Sequence, residues 1–159
     1  MDHHYDVIVI GSGPGGYVSA IRCAQLGLKT ICIERCGIES KPVLGGTCLN
    51  VGCIPSKALL DSSNYFYQAN TRYISHGIHI QDISFNVSEM LQRKEKIISG
   101  LTNGVTSLFK LNKVESILGN ATINKDGNVT VSNPDGSKLS LTSENIIIST
   151  GSKPIALSV

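Results

Sequence analysis

The stretch YDVIVIGSGPGGYVSAIRCAQLGLKTICIE, residues 5–34, decides the fold. Tyr5 to Ile10 is a short β-branched apolar run, the pattern of a strand buried on both faces. Gly11 to Gly16 follows as a turn. Tyr17, Ala20, Ile21, Ala24 and Leu28 then recur at helical spacing. Pro14 suits the start of that helix and Gly27 its end. Lys29 to Ile33 is a second buried strand that closes on Glu34. A strand, a helix and a second strand within about 30 residues form a parallel pair joined by a right-handed crossover.

Within this unit, Gly11-x-Gly13-x-x-Gly16 has the spacing of a dinucleotide-binding turn. Alone the pattern is weak in a chain with 16 glycines. A preceding buried strand, a following helix and an acid 23 residues beyond Gly11 make it specific. Gly11 permits the tight turn, Gly13 lets the backbone approach a pyrophosphate, and Gly16 allows close helix–strand packing. The helix N-terminus then offers free N–H groups and partial positive charge to phosphates. Glu34 would accept hydrogen bonds from a ribose. FAD and NAD use the same turn; a carboxylate at position 34 disfavours NADP, whose 2′-phosphate it would repel.

Working outward, the chain has 159 residues, 41% of them apolar and 16% charged, with a net charge of +2. That composition excludes a disordered or fibrous chain and leaves no reason to expect a nucleic-acid partner. No segment approaches the roughly 20 apolar residues of a membrane span, and no secretory signal pattern opens the chain. Five cysteines, at positions 23, 32, 36, 48 and 53, do not form an even disulfide framework, so an intracellular protein that is not secreted is expected. The three Asn-x-Ser/Thr matches, at Asn86, Asn120 and Asn128, then count as chance.

Residues 36–44 read as a loop, and a helical stretch runs from about Thr47 toward Ala69. A third helix has Val87, Met90, Leu91, Ile97, Ile98, Leu101, Val105 and Leu108 on one face, opened by a capping box at Asn86 and Glu89. Its charge run, Arg93 to Lys96, reads as solvated surface. From Val114 the period changes to two, with turns at Asp126-Gly127 and Asn133 to Gly136, which predicts a small antiparallel meander. Residues 145–149 then return to a buried strand. The fold class is α/β: a Rossmann-like parallel sheet with an inserted antiparallel meander.

The second informative stretch is GGTCLNVGCIPSK, residues 45–57, with cysteines five apart. Half of a metal site is disfavoured, because His76 and His79 stand alone and read as surface or packing residues. Buried structural thiols are the bland alternative, and the reading taken for Cys23 and Cys32. A redox pair at a helix start fits best. In a regular helix, residues i and i+5 have Cα atoms about 8.7 Å apart, whereas a disulfide needs about 4.4–6.8 Å. A bridge would therefore require a break between Asn50 and Gly52, with Gly52 as the point of relief. A helix N-terminus lowers a thiol pKa, and Lys57 one turn beyond Cys53 adds positive charge.

The segment GGTCLNVGCIPSKALL, residues 45–60, resembles the redox-active segment of the flavoprotein disulfide reductases. Its wording, with GSGPGGYVSAIRCAQLGLKT (11–30) and LTNGVTSLFKLNKV (101–114), is most similar to the dihydrolipoamide dehydrogenases among them; the glutathione, mercuric and thioredoxin reductases share the two cysteines. A non-catalytic FAD-binding module is the alternative from another class. The resemblance implies FAD bound by Gly11, Gly13, Pro14, Gly15, Gly16, Glu34, Arg35, Gly45, Gly46, Thr47, Cys48, Lys57, Gly119, Ala121, Thr150, Gly151 and Ser152, with no metal. It implies Cys48 as the interchange thiol that attacks the substrate. Cys53 would be the thiol nearer the flavin, forming a charge-transfer pair when reduced, with Lys57 tuning the ring. NAD would be the co-substrate.

The implied partners are a dihydrolipoyl domain of a 2-oxoacid dehydrogenase complex, or a glycine-cleavage carrier, and a second subunit in a homodimer. The implied compartment is a mitochondrial matrix or a bacterial cytoplasm. Two departures stand out: the loop from Arg35 to Leu44 is longer than usual, and Ala121 replaces a frequent Gly. No second glycine fingerprint follows Gly16, and no His–Glu dyad is present. Residues 1–153 are therefore expected to be the N-terminal part of an FAD-binding domain, and 154–159 the start of a linker to an NAD-binding domain. Such a fragment alone is expected to lack lipoamide:NAD turnover.

Overall fold

The computed structural model describes residues 3–39, 41–152 and 155. Strand β1 (His4–Ile10), helix α1 (Pro14–Gln25) and strand β2 (Thr30–Glu34) form the expected βαβ unit. β1 and β2 pair in parallel, from Val7 opposite Thr30 to Ile10 opposite Ile33. Residues 36–44, expected to be a loop, contain a short hairpin of β3 (Gly37–Ile38) and β4 (Lys41–Pro42). There is almost no room beneath it: a Cβ at Gly37 would press on the Leu118 side chain.

The helical stretch expected from Thr47 is two helices, α2 (Gly46–Asn50) and α3 (Cys53–Thr71), broken at Val51 and Gly52. A 3₁₀ turn (Tyr73–His76) and an irregular segment lead to α4 (Val87–Leu111). Asn86 caps α4, its side-chain oxygen accepting from the backbone N–H groups of Ser88 and Glu89. Glu89 bonds the Asn86 amide, 3.2 Å away, in place of the backbone arm of a full capping box.

Only part of the apolar α4 stripe is covered. Ile98, Val105 and Phe109 are buried, whereas Val87, Leu91, Leu101 and Leu108 are exposed. Arg93 departs from the surface reading of its charge run. It crosses to α3, donates to the Ala58 carbonyl at 3.0 Å and the Ser62 hydroxyl at 3.3 Å, and pairs with Asp61 at 2.7 Å. A backbone carbonyl can be such an acceptor in any helix, so periodicity carries no sign of it.

The chain then adds β5 (Glu115–Leu118), β6 (Asn120–Ile123), β7 (Val129–Ser132) and β8 (Lys138–Ile148). The strand order is β5-β2-β1-β8-β7-β6. The meander and the last parallel strand, expected as separate elements, share β8. Its first part pairs antiparallel with β7 through Leu141, and from Thr142 it pairs parallel with β1. The β8 end is less buried than its apolar sequence predicts. Ile148 is 65% exposed and Ile146 and Ile147 are half-buried, because the described residues cover this end of the sheet incompletely.

Alternation along the parallel strands builds two cores. Val7, Val9 and Cys32 face α1, α2 and α4, packing with Ala20, Leu49, Val105 and Phe109. Tyr5, Ile8, Ile10, Ile31 and Ile33 face the other way and pack against Val129, Val131 and Leu141 of the meander. Burial on both faces accounts for the unbroken apolar runs of β1 and β2. No described helix is long and apolar enough to cross a membrane. Apart from Ile155, the linker expected at 154–159 lies outside the described residues.

Candidate functional site

The four parallel strands end on one side of the sheet, and a cleft of about 800 Å³ opens there. Its walls are the segments that leave each strand: residues 10–15 after β1, 33–36 around the end of β2, 119–121 after β5, and 149–152 after β8. The order β5-β2-β1-β8 reverses direction between β1 and β8, and such a switch point at the strands' carboxyl ends is where α/β sheets take ligands. Gly11 donates its N–H to the Ile33 carbonyl and Ser149 donates to the Ile10 carbonyl, so the turn is anchored on both sides.

The glycines of the turn have separate tasks. Gly11 is left-handed, with φ +97°. A Cβ on Gly16 would overlap the Gly11 carbonyl oxygen, so strand and helix meet there without a side chain between them. A Cβ on Gly13 would find only the Gly46 Cα, at 3.9 Å. Pro14 occupies the first turn of α1, no side chain caps its N-terminus and no acid sits in that turn. The positive end of the helix dipole therefore faces the cleft unneutralised.

Glu34 lies at the end of β2, buried at 7% exposure, and the chain itself holds its carboxylate. One oxygen accepts from the Ser12 N–H at 2.9 Å and the Ser12 hydroxyl at 2.6 Å; the other accepts from the Cys36 N–H at 2.9 Å. A carboxylate has about four acceptor positions, so one remains for a ligand hydroxyl. Ser12 stands at a position the glycine spacing leaves free. Only the fold shows that its side chain, fully buried, orients the acid.

The second half of the cleft is the cysteine-bearing segment, residues 45–57. Gly45 is left-handed at φ +102° and donates its N–H to the Ser12 carbonyl at 2.9 Å, which ties this segment to the glycine turn. Gly46 (φ +60°) lies so close to Gly13 that a Cβ would come within 2.5 Å of its Cα. The chain then runs through α2, breaks, and restarts at Cys53, the first residue of α3. Gly52 at the break approaches the Thr47 carbonyl, where a Cβ would sit at 3.0 Å. The interruption demanded by the geometry of an i, i+5 pair is present where it was expected.

Cys48, within α2, and Cys53, the first residue of α3, are free thiols. The neighbouring Cys53 side chain holds the Cys48 thiol above its ordinary pKa, with burial and the charge of an ionised Cys53 acting the same way. The Cys53 backbone and the positive charge of Lys57 oppose the shift. For Cys48 the neighbouring Cys53 side chain therefore outweighs the charge of Lys57.

Most of the residues singled out from sequence converge on this cleft: Gly11, Gly13, Pro14, Gly15, Glu34, Arg35, Gly46, Thr47, Cys48, Cys53, Gly119, Ala121, Thr150, Gly151 and Ser152 all line it. Gly16 and Gly45 lie behind the lining as packing positions, and Lys57 acts on Cys48 through its charge. Sequence reasoning missed Ser12, Val43, Asn50 and Ser149 among the lining residues. Cys36, which had no assigned role, is exposed at the rim and lends the site its backbone N–H. His76 and His79 are exposed, on the segment joining α3 and α4.

Cys32 is structural. It is fully buried, its thiol points at the Gly11 carbonyl 3.7 Å away, and burial, aided by the negative charge of Glu34, pushes it up to about 12. The raised value means the folded state keeps this proton where the unfolded chain loses it. The resulting stability is intact below pH 9 and is lost as the pH rises toward 12. In iodoacetamide labelling at pH 8, Cys32 is expected to stay unmodified while the exposed Cys36 and Cys53 react. Peptide mass mapping checks this, and labelling of native Cys32 at their rate would contradict it.

The family model for pyridine nucleotide-disulphide oxidoreductases matches residues 5–159. Among curated proteins, the chain is 48% identical over 149 residues to the mitochondrial dihydrolipoyl dehydrogenases of Mesocricetus auratus and Sus scrofa, and 47% identical to that of Homo sapiens. Each match covers 93% of this chain. The chain spans only 30%, 28% and 28%, respectively, of the length of those relatives.

Proposed function

The chain belongs to the pyridine nucleotide-disulphide oxidoreductases, and from that premise we propose that it is the FAD-binding and dithiol-bearing part of a dihydrolipoyl dehydrogenase. The observation that carries this reading is the position of the Cys48–Cys53 pair in the same cleft as the glycine turn and the Glu34 carboxylate. The cleft volume falls within the ~300–1,000 Å³ usual for cofactor sites. The residues present fit FAD: the free helix start at Gly13 to Gly15 suits a pyrophosphate, and the room at Gly13 and the remaining acceptor of Glu34 suit its neighbours. Arg35, Gly119 and Ala121 would flank the adenosine half, and Thr47 and residues 150–152 the flavin half. Bound there, FAD would supply the acceptor for the electron pair of the reduced dithiol, with NAD as the final acceptor.

The chain's own chemistry is thiol–disulfide exchange. A thiolate of the dihydrolipoyl group attacks Cys48 Sγ, breaks the Cys48–Cys53 bond and leaves a mixed disulfide with Cys53 as thiolate. The second substrate thiol then displaces Cys48, closes the lipoyl disulfide and leaves both cysteines reduced. Two electrons enter the pair, and the two protons of the substrate dithiol are passed on. Lys57 stabilises the thiolate forms. Residues 1–153 would be the N-terminal part of the FAD-binding domain, acting in a homodimer on a lipoyl carrier of a 2-oxoacid dehydrogenase complex or of glycine cleavage. The relatives' designation as mitochondrial supports a mitochondrial location over a bacterial cytoplasm.

The test uses the full-length protein. Purified, it is expected to retain FAD and to form NADH from NAD and dihydrolipoamide, with no reduction of oxidised glutathione. Glutathione reduction without lipoamide turnover would replace this reading by another branch of the family.

A further inference from the structure

Helix α2 has five residues, too few to offset the cost of helix nucleation, so its geometry is imposed from outside. Backbone bonds supply part of the hold: Gly45 N–H to the Ser12 carbonyl at 2.9 Å and Val51 N–H to the Thr47 carbonyl at 3.0 Å. The remainder is a side chain. The Asn50 amide nitrogen donates to the Leu44 carbonyl at 3.1 Å and to the Gly46 carbonyl at 2.9 Å, closing the loop that leads into α2 onto the end of that helix. Two carbonyl acceptors fix which way the amide faces, since the reverse orientation would set oxygen against oxygen. Asn50 is half-buried, lines the cleft and stands two residues beyond Cys48.

We propose that Asn50 is a positioning residue for the redox pair: its amide clamps α2 so that Cys48 Sγ stays within bonding range of Cys53. The inference rests on the redox reading of that pair and extends it to a residue that touches neither sulfur. Cys48 and Cys53 belong to two different helices joined only by Val51 and Gly52. A disulfide accepts a narrow range of Cα separations, whereas two thiols accept a wide one. A clamp on α2 therefore favours the oxidised pair over the reduced pair. Releasing it loosens the reduced state at little cost and makes closure of the disulfide less favourable.

The experiment equilibrates full-length protein with buffers of reduced and oxidised dithiothreitol. Acid quenching and alkylation follow, and peptide mass mapping gives the fraction of Cys48 and Cys53 joined to one another. Asn50→Asp keeps the shape and turns a donor toward two carbonyl oxygens into an acceptor. It is expected to shift the dithiol–disulfide constant toward the dithiol by about tenfold, from the loss of two hydrogen bonds. Asn50→Ala, which removes the donor without adding repulsion, is expected to shift it by about threefold. Asn112→Asp makes the same chemical change at the end of α4, where the Asn112 amide donates to the Leu108 carbonyl at 2.8 Å, and is expected to leave the constant unchanged.

Constants within about twofold of wild type in both Asn50 variants would overturn the proposal, as would an equal shift in Asn112→Asp. Failure of the wild-type pair to join Cys48 to Cys53 would instead overturn the redox reading on which it rests.

Discussion

Replacing Cys48 with serine is expected to abolish dihydrolipoamide-dependent NAD reduction in the full-length protein while leaving FAD in place. Serine has nearly the shape of cysteine but cannot form the mixed disulfide, so the sulfur that the substrate thiolate attacks is lost and the rate falls by about 10³-fold or more. Retention of FAD is expected because Cys48 is one lining residue among many, whereas the turn, the acid and the segments after β5 and β8 remain intact. Stopped-flow measurement separates the two halves of the reaction. Flavin reduction by dihydrolipoamide should vanish, and flavin reduction by NADH, which does not need substrate exchange at Cys48, should persist. Flavin bleaching by dihydrolipoamide at the wild-type rate would show that electrons bypass the pair.

Gly16→Ala is expected to have the largest effect on the cofactor site from a single methyl group. The added Cβ would overlap the Gly11 carbonyl oxygen, and the Gly11 backbone cannot retreat because its N–H is bonded to the Ile33 carbonyl. Either α1 is pushed from the sheet or the turn opens. The expected result is about 3 kcal/mol of lost stability, at the upper end for an inserted methyl group, with FAD lost on gel filtration. Gly104→Ala provides a control of opposite sign. Gly104 lies inside α4 with nothing within 4 Å of the added Cβ. The same substitution there should stabilise by about 0.5–1 kcal/mol. Urea unfolding of both variants reads the contrast, and similar losses in the two would refute the steric argument.

Much of the site was legible because its determinants are local. Gly11, Gly13 and Gly16 act through a turn, and Cys48 and Cys53 through the geometry of five residues, so spacing carries their meaning. The break at Val51 and Gly52 was deducible for the same reason, since a regular helix holds such a pair too far apart. The misreadings concern partners supplied from elsewhere. Arg93 sits in a charge run on the solvated side of a helical wheel, and only the packing of α3 against α4 gives it the Ala58 carbonyl. Cys48 sits near a helix start, yet its pKa is governed by the thiol of Cys53. The apolar run of residues 145–149 predicts full burial, and neighbours decide how much of it is covered.

The sequence by itself determined the βαβ unit, the glycine turn, the helix break between the cysteines and the meander, because periodicity and turn chemistry are properties of neighbouring residues. The tertiary structure alone decided that four strand ends meet in one cleft. It alone decided that β8 serves both the meander and the parallel sheet, that Ser12 holds Glu34 across 22 residues, and that Gly45 joins the cysteine-bearing segment to the glycine turn through the Ser12 carbonyl. Such contacts depend on which distant groups packing brings within 3 Å of each other. A buried hydroxyl, amide or carbonyl accepts whatever partner the fold delivers, and the residue code of the acceptor does not name it.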